Sequence, residues 1–211
     1  MITYAFSSDL RQHVFENLSV FDVRALENTD LRPAAVAIVI VQHPGIGQAS
    51  ILLTLRPDRM KRHAGQYALP GGRLDTGENQ LQAALRELQE ELGVVLGPND
   101  LLGTLDDYPT RSGFQITPMV FWGEAPVNLR PDPDEVAQVF HVPLEELDSS
   151  DIPILSDPAP DEQPVLSAYL PTLGEEFFAP TAAMLYQFRE VALRGNRTRV
   201  AQYDQPTFAW K

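Results

Sequence analysis

The chain of 211 residues is 44% hydrophobic and 21% charged, and sets 16 Lys plus Arg against 29 Asp plus Glu for a formal net charge of −13. That length holds a real hydrophobic core and excludes disorder as the main state; the acidic balance excludes the broad basic face that grips nucleic acid or adheres to anionic membrane. With no cysteine, disulfides, thiolate nucleophiles and Cys-based zinc sites are ruled out.

In chain order, Ser8 or Asp9 caps a short helix through about Asn17. Residues 35–41 and 50–56 are aliphatic and β-branched and flank Pro44, Gly45 and Gly47, which predicts a β-hairpin. From Asn79 to Leu92, apolar Leu81, Ala84, Leu85, Leu88 and Leu92 recur at helical spacing, and Gly93 is a natural stop. Segments 101–107, 115–122 and 136–142 read as strands, and 143–147 as the start of a short helix. Six prolines between Asp151 and Pro180 leave few regular windows there, so about 151–180 is expected as an ordered but irregular excursion. A final helix, about 181–194, buries Met184, Leu185, Phe188, Val191 and Ala192, and a short strand follows at 199–203. All this is read as one domain with its core at about 30–150. The first residues lack the basic start and apolar run of a secretory signal, and the longest apolar run, Ala34 to Val41, falls short of the about 20 residues a bilayer needs, so the expectation is a cytoplasmic protein.

The chemistry concentrates on the predicted helix. At about 100° per residue its leucines share one side, while Glu87, Glu90 and Glu91 crowd the other. Such like charges repel unless a cation lies between them; on the helix alone, a solvated acidic face is the favoured reading. If a metal is held, oxygen ligands without nearby His or Cys favour Mg2+ or Mn2+.

The stretch Pro70 to Val94 extends this pattern. Gly72, five residues, Glu78, seven residues, then Arg86-Glu87-Leu88-x-Glu90-Glu91-x-Gly93-Val94 match the Nudix box without a mismatch. The chain therefore resembles the Nudix hydrolases. The resemblance implies an α/β fold, a Nudix-type α/β/α sandwich around a mixed β-sheet, and hydrolysis of a nucleoside diphosphate linked to a further group. By position it implies Glu87, Glu90, Glu91 and the carbonyl of Gly71 as metal ligands, with Glu78 and Arg86 as a supporting pair. Glu87 is the first choice for general base, and Glu135 is the candidate if the base comes from a later loop. Homodimers are common among proteins resembling this fold.

Residues 52–72 are similar to the signature of bacterial coenzyme A pyrophosphatases, a Nudix subgroup. Leu52, Leu53, Thr54, Arg56, His63, Gly65, Gln66, Pro70, Gly71 and Gly72 match; Pro57, Met60, Lys61, Tyr67 and Leu69 depart. Lys61 stands where the subgroup has Arg, and an ammonium does not reproduce bidentate guanidinium contacts. Arg56, Arg59, Lys61, Arg62 and His63 form a basic cluster beside the box, of which Arg56, Lys61 and Arg62, with Gly72, are the candidate substrate-binding residues. The implied substrate is CoA or acyl-CoA, split to 3′,5′-ADP and a 4′-phosphopantetheine product. Other readings are a hydrolase of dinucleotides or nucleotide sugars, and a non-catalytic binding protein.

Overall fold

The computed structural model describes residues 4–27, 30–59, 64–124, 127–156 and 163–206. The first helix, α1 (Ser8–Ser19), opens where the Leu10 amide donates to the Ser7 hydroxyl at 3.3 Å, and buries Leu10, Val14 and Leu18. The hairpin follows as β1 (Arg32–Gln42) and β2 (Ala49–Leu55), antiparallel with Ile40 opposite Ile51. Short strands β3 (Tyr67–Ala68) and β4 (Gly71–Arg73) lead into α2 (Gln80–Leu92). The strands β5 (Leu101–Thr104), β6 (Tyr108–Pro109), β7 (Phe114–Trp122) and β8 (Gln138–Pro143) complete the main sheet, and α3 (Leu144–Leu147) closes that half of the chain.

The main path of the sheet is β3-β2-β1-β7-β5, with β8 added to β2. β1 and β7 run parallel from Arg32 opposite Phe114 to Ile40 opposite Trp122, and their other neighbours are antiparallel. Ala34 to Val41 are buried without a break because both faces of β1 are covered. Ala35, Ala37, Val39 and Val41 pack with Ala83, Ala84, Leu88 and Leu92 of α2, whereas Val36, Ile38 and Ile40 pack with α1 and the C-terminal helix. The architecture is thus the expected α/β/α sandwich around a mixed sheet.

β1 has two successive partners along one edge. Residues 40–42 pair with β2 and residues 34–36 with β4, and between them the Ala37 amide donates to the Pro70 carbonyl at 2.8 Å. β2 meanwhile stays paired with β8 and β3. The sheet is therefore split where β4 begins.

The segment expected as irregular contains a small antiparallel sheet, β9 (Ile154–Leu155), β10 (Leu166–Tyr169) and β11 (Glu176–Phe178). Pro164 and Pro171 fall between its strands and Pro153 and Pro180 flank them, where no ladder amide is required of them. The Ile152–Pro153 and Ala179–Pro180 peptide bonds are cis. α4 (Thr181–Phe188) continues into a π-helical turn, Arg189–Leu193. The strand expected at 199–203 does not form: Arg199 instead donates to Asp106 and to the Asp22 carbonyl, and the one nearby bridge joins Val165 to Asp204. Among the described residues, no helix is long and apolar enough to cross a membrane.

Candidate active site

The helix that carries the glutamates is held at both ends by its own sequence. Asn79 and Gln82 form a reciprocal capping box with bonds of 2.9 Å, and Gly93 ends the helix in the left-handed region at φ 68°. With the apolar stripe packed on β1, Glu91 is drawn into the protein and is only 3% exposed, while Glu87 is half-buried. A loop after β7 adds Glu135. This loop is fastened to the helix end by the Arg130 amide on the Leu92 carbonyl at 2.7 Å and the Asp132 amide on the Glu91 carbonyl at 2.9 Å.

As a result, carboxylate oxygens of Glu87, Glu91 and Glu135 lie within 4.8 Å of one another. Desolvation by burial pushes the Glu91 carboxyl up to about 8; Arg56 pulls it down, and Glu87 and Glu135 push it further up. Glu87 is also raised, chiefly by desolvation and against the pull of Arg86. An all-oxygen set of acids, running from buried Glu91 through half-buried Glu87 to exposed Glu135, with this mutual repulsion fits a hard divalent cation.

Glu90 is not brought into that group. It is exposed, and its carboxylate accepts from Arg86 Nη1 at 2.9 Å. The same nitrogen donates to Glu87 at 2.8 Å, Nε and Nη2 donate to the two oxygens of Glu78 at 2.8 and 3.0 Å, and Nη2 also reaches the Arg73 carbonyl at 2.9 Å. The Glu78–Arg86 pair thus ties the loop after β4 to the helix.

Two glycines let β4 approach the acids. A Cβ on Gly72 would lie 2.3 Å from Glu87 Oε1, and one on Gly71, at φ 155°, would lie 2.3 Å from the Ala35 carbonyl oxygen. The Gly71 amide also acts on Glu91, lowering its pKa. Of the basic cluster, Arg56 faces Glu91, whereas Arg59 is bound to the Pro133 carbonyl and, at 2.7 Å, to Asp134. Lys61, Arg62 and His63 lie outside the described residues.

Beside the acids opens a cleft of about 270 Å³ that Arg56, Gly71 and Gly72 also line. Its other walls include Arg73, Phe114, Ile116 and Gln205, which sequence reasoning did not single out, and Met184, which it placed only on the buried face of the final helix. These residues come from four distant segments and share no motif; only the alternation of Phe114 and Ile116 on a predicted strand marks two of them as sharing a face.

A family model described as NUDIX domain matches residues 31–164. The "Uncharacterized Nudix hydrolase NudL" of Pectobacterium atrosepticum is 41% identical over 116 residues, covering 54% of this chain and 59% of that protein. Its namesake from Salmonella paratyphi B is 42% identical over 121 residues, covering 56% and 60%. The match thus spans about three fifths of the length of these curated relatives. A solved MutT NUDIX hydrolase from Burkholderia pseudomallei superposes with a TM-score of 0.44 at 24% identity, covering 74% of this chain and 96% of that one. With more than half of its length matched by the family model, the chain belongs to the Nudix family.

Proposed function

We propose that the chain is a metal-dependent pyrophosphohydrolase that splits the diphosphate of CoA or acyl-CoA. The observation that carries the hydrolase reading is the convergence of Glu87, Glu91 and Glu135 within 4.8 Å, beside Arg56 and the Gly71–Gly72 backbone. In this reading Glu87, Glu91 and Glu135 hold Mg2+ or Mn2+. The Gly71 carbonyl adds a backbone oxygen, and Glu90, held on Arg86 Nη1 outside this group, would join it by leaving that ion pair. When bound, such an ion supplies Lewis acidity at the diphosphate oxygens and makes water a better acid.

The protein's own residues do the rest. Arg56 contributes positive charge to the diphosphate, joined by Lys61 and Arg62, and Gly72 leaves room for the phosphates to lie against the backbone. Water attacks phosphorus, the bridging P–O bond breaks, and the water proton passes to Glu87, the first choice for general base. Adenosine 3′,5′-bisphosphate and 4′-phosphopantetheine result. The match of residues 52–72 to the coenzyme A pyrophosphatase signature supports this substrate. Lys61, in place of Arg, favours a second reading in which the same chemistry acts on a dinucleotide or nucleotide sugar.

Hydrolysis of CoA against ADP-ribose, NADH and a diadenosine polyphosphate, with Mg2+ and then Mn2+ and products resolved by chromatography, separates the two. Preferential release of 3′,5′-ADP is the expected result; cleavage of another diphosphate alone selects the second reading. Glu87→Gln is expected to lower turnover by about 10²–10⁴-fold. An equal loss in Glu135→Gln, with Glu87→Gln still active, would move the base to the loop.

A further inference from the structure

The cleft beside the acids differs from a nucleobase pocket. Its floor is aliphatic: Ala34 and Val36 of β1, Leu69 before β4, Ile116 of β7 and Met184 of α4. Its two aromatic rings are already engaged. Phe114 lies under the guanidinium groups of Arg32 and Arg73, whose central carbons are 4.0 and 5.1 Å from the ring centroid. Tyr67 meets Phe140 and Phe177 edge-on, and its hydroxyl donates to the Leu173 carbonyl at 3.2 Å. Stacking on a flat base, the usual aromatic contribution to nucleoside binding, is thereby disfavoured.

The cleft does hold buried hydrogen-bonding capacity. Gln205 is 6% exposed, and its Oε1 accepts from the Arg111 amide at 3.3 Å, while its Nε2 is buried beside the Tyr108 hydroxyl without a well-formed hydrogen bond among the described residues. Arg56 Nε is likewise buried without a partner among them. A buried donor left unpaired is costly, and a ligand acceptor would relieve that cost. At about 270 Å³ the space is close to the lower end of small-molecule sites, about 300–1,000 Å³. A neighbouring groove shares Gln66, Tyr67, Pro180 and Thr181 with it and continues to Phe178 of β11.

We propose that this cleft is the site for the pantetheine arm of the substrate, an extended aliphatic chain bearing amides. The aliphatic floor takes the methylene and gem-dimethyl groups, Gln205 Nε2 donates to an amide carbonyl, and Arg56 with Gly71 and Gly72 marks the end where the arm meets the diphosphate. The nucleoside then lies outside the cleft. The assignment rests on the CoA reading above.

Two measurements test it. In wild-type protein with labelled methyl groups, 4′-phosphopantetheine is expected to shift the Ile116 and Met184 resonances, and 3′,5′-ADP to leave them in place. In Gln205→Leu, of similar size but without the donor, inhibition of CoA hydrolysis by 4′-phosphopantetheine is expected to weaken about tenfold while the inhibition constant of 3′,5′-ADP holds. If 3′,5′-ADP moves the methyl groups and loses affinity in the variant, the cleft is the nucleoside's and the assignment is overturned. If neither ligand moves the methyl groups although the wild type hydrolyses CoA, the assignment falls and the CoA reading stands. Absence of CoA turnover together with methyl shifts from 4′-phosphopantetheine overturns the CoA reading and leaves the cleft's chemistry as assigned. The wild-type spectra decide the matter even if the variant does not fold.

Discussion

Glu91 keeps its proton to about pH 8 in the folded protein, whereas an ordinary glutamate releases it near 4.5. The folded state therefore binds more protons across that interval, and the metal-free protein loses stability as pH rises through it. Glu91→Gln, which has no charge to desolvate, is expected to melt higher than wild type in EDTA at pH 7, by about 1–3 kcal/mol. Adding Mg2+ should stabilise the wild type more than the variant. A variant that melts lower in EDTA would show that the acid is not under this strain. The two glycines make a sharper contrast. In Gly72→Ala the new methyl meets the carboxylate of Glu87, a side chain that can move, so the fold is expected to survive while hydrolysis falls at least tenfold. In Gly71→Ala it meets the Ala35 backbone of β1 and a positive φ that L residues rarely adopt, so soluble, cooperatively melting protein is expected to be lost. Circular dichroism melts beside activity assays distinguish the two outcomes.

Among the elements, α2 is almost fully legible: Asn79 starts it, Gly93 stops it, and the leucine stripe identifies its buried side. The three glutamates on its other side are legible only as a face, because periodicity cannot say which of them points inward. Packing on β1 decides that, turning Glu91 in and leaving Glu90 on Arg86. The C-terminal helix is legible by its apolar spacing, but its π-helical turn is not, since that turn is held by buried charge. Arg189 donates to the Ser149 and Ile152 carbonyls, both at 2.7 Å, and pairs with Glu190, which also accepts from Arg194 and Asn196. Glu190→Ala leaves Arg189 buried without its carboxylate and is expected to cost about 3–5 kcal/mol in denaturant unfolding. These partners hold the Glu190 carboxyl below its ordinary 4.5. Its stabilising contribution is thus present above pH 4.5 and lost as the pH falls through the lower folded value. Unfolding titrations should show wild type and Glu190→Gln converging in stability under acid, and a constant gap would contradict the charge network.

For the molecule as a whole, the central hairpin follows from the aliphatic runs of β1 and β2, and the layers follow from the resemblance of residues 70–94 to the Nudix box. What was not legible is long-range. The cleft is assembled from β1, β4, β7, α4 and Gln205, and nothing local in any of them announces the others. The small sheet was hidden by its prolines, which interrupt the period while leaving the strands between them intact. The missing strand at 199–203 has the same origin, because Arg199 is fastened by its side chain to residues far back in the chain. The change of partner along the edge of β1 ties these observations together. The glutamates of α2 belong to one face of the sheet, and the aliphatic cleft, with Val36, Ile116 and Met184, belongs to the other. The two glycines of β4 line the cleft and also touch the acid side. A substrate anchored as proposed would lie along β4, with its diphosphate against the two glycines. Hydrolysis would then leave one product in the cleft and release the other on the side of the acids.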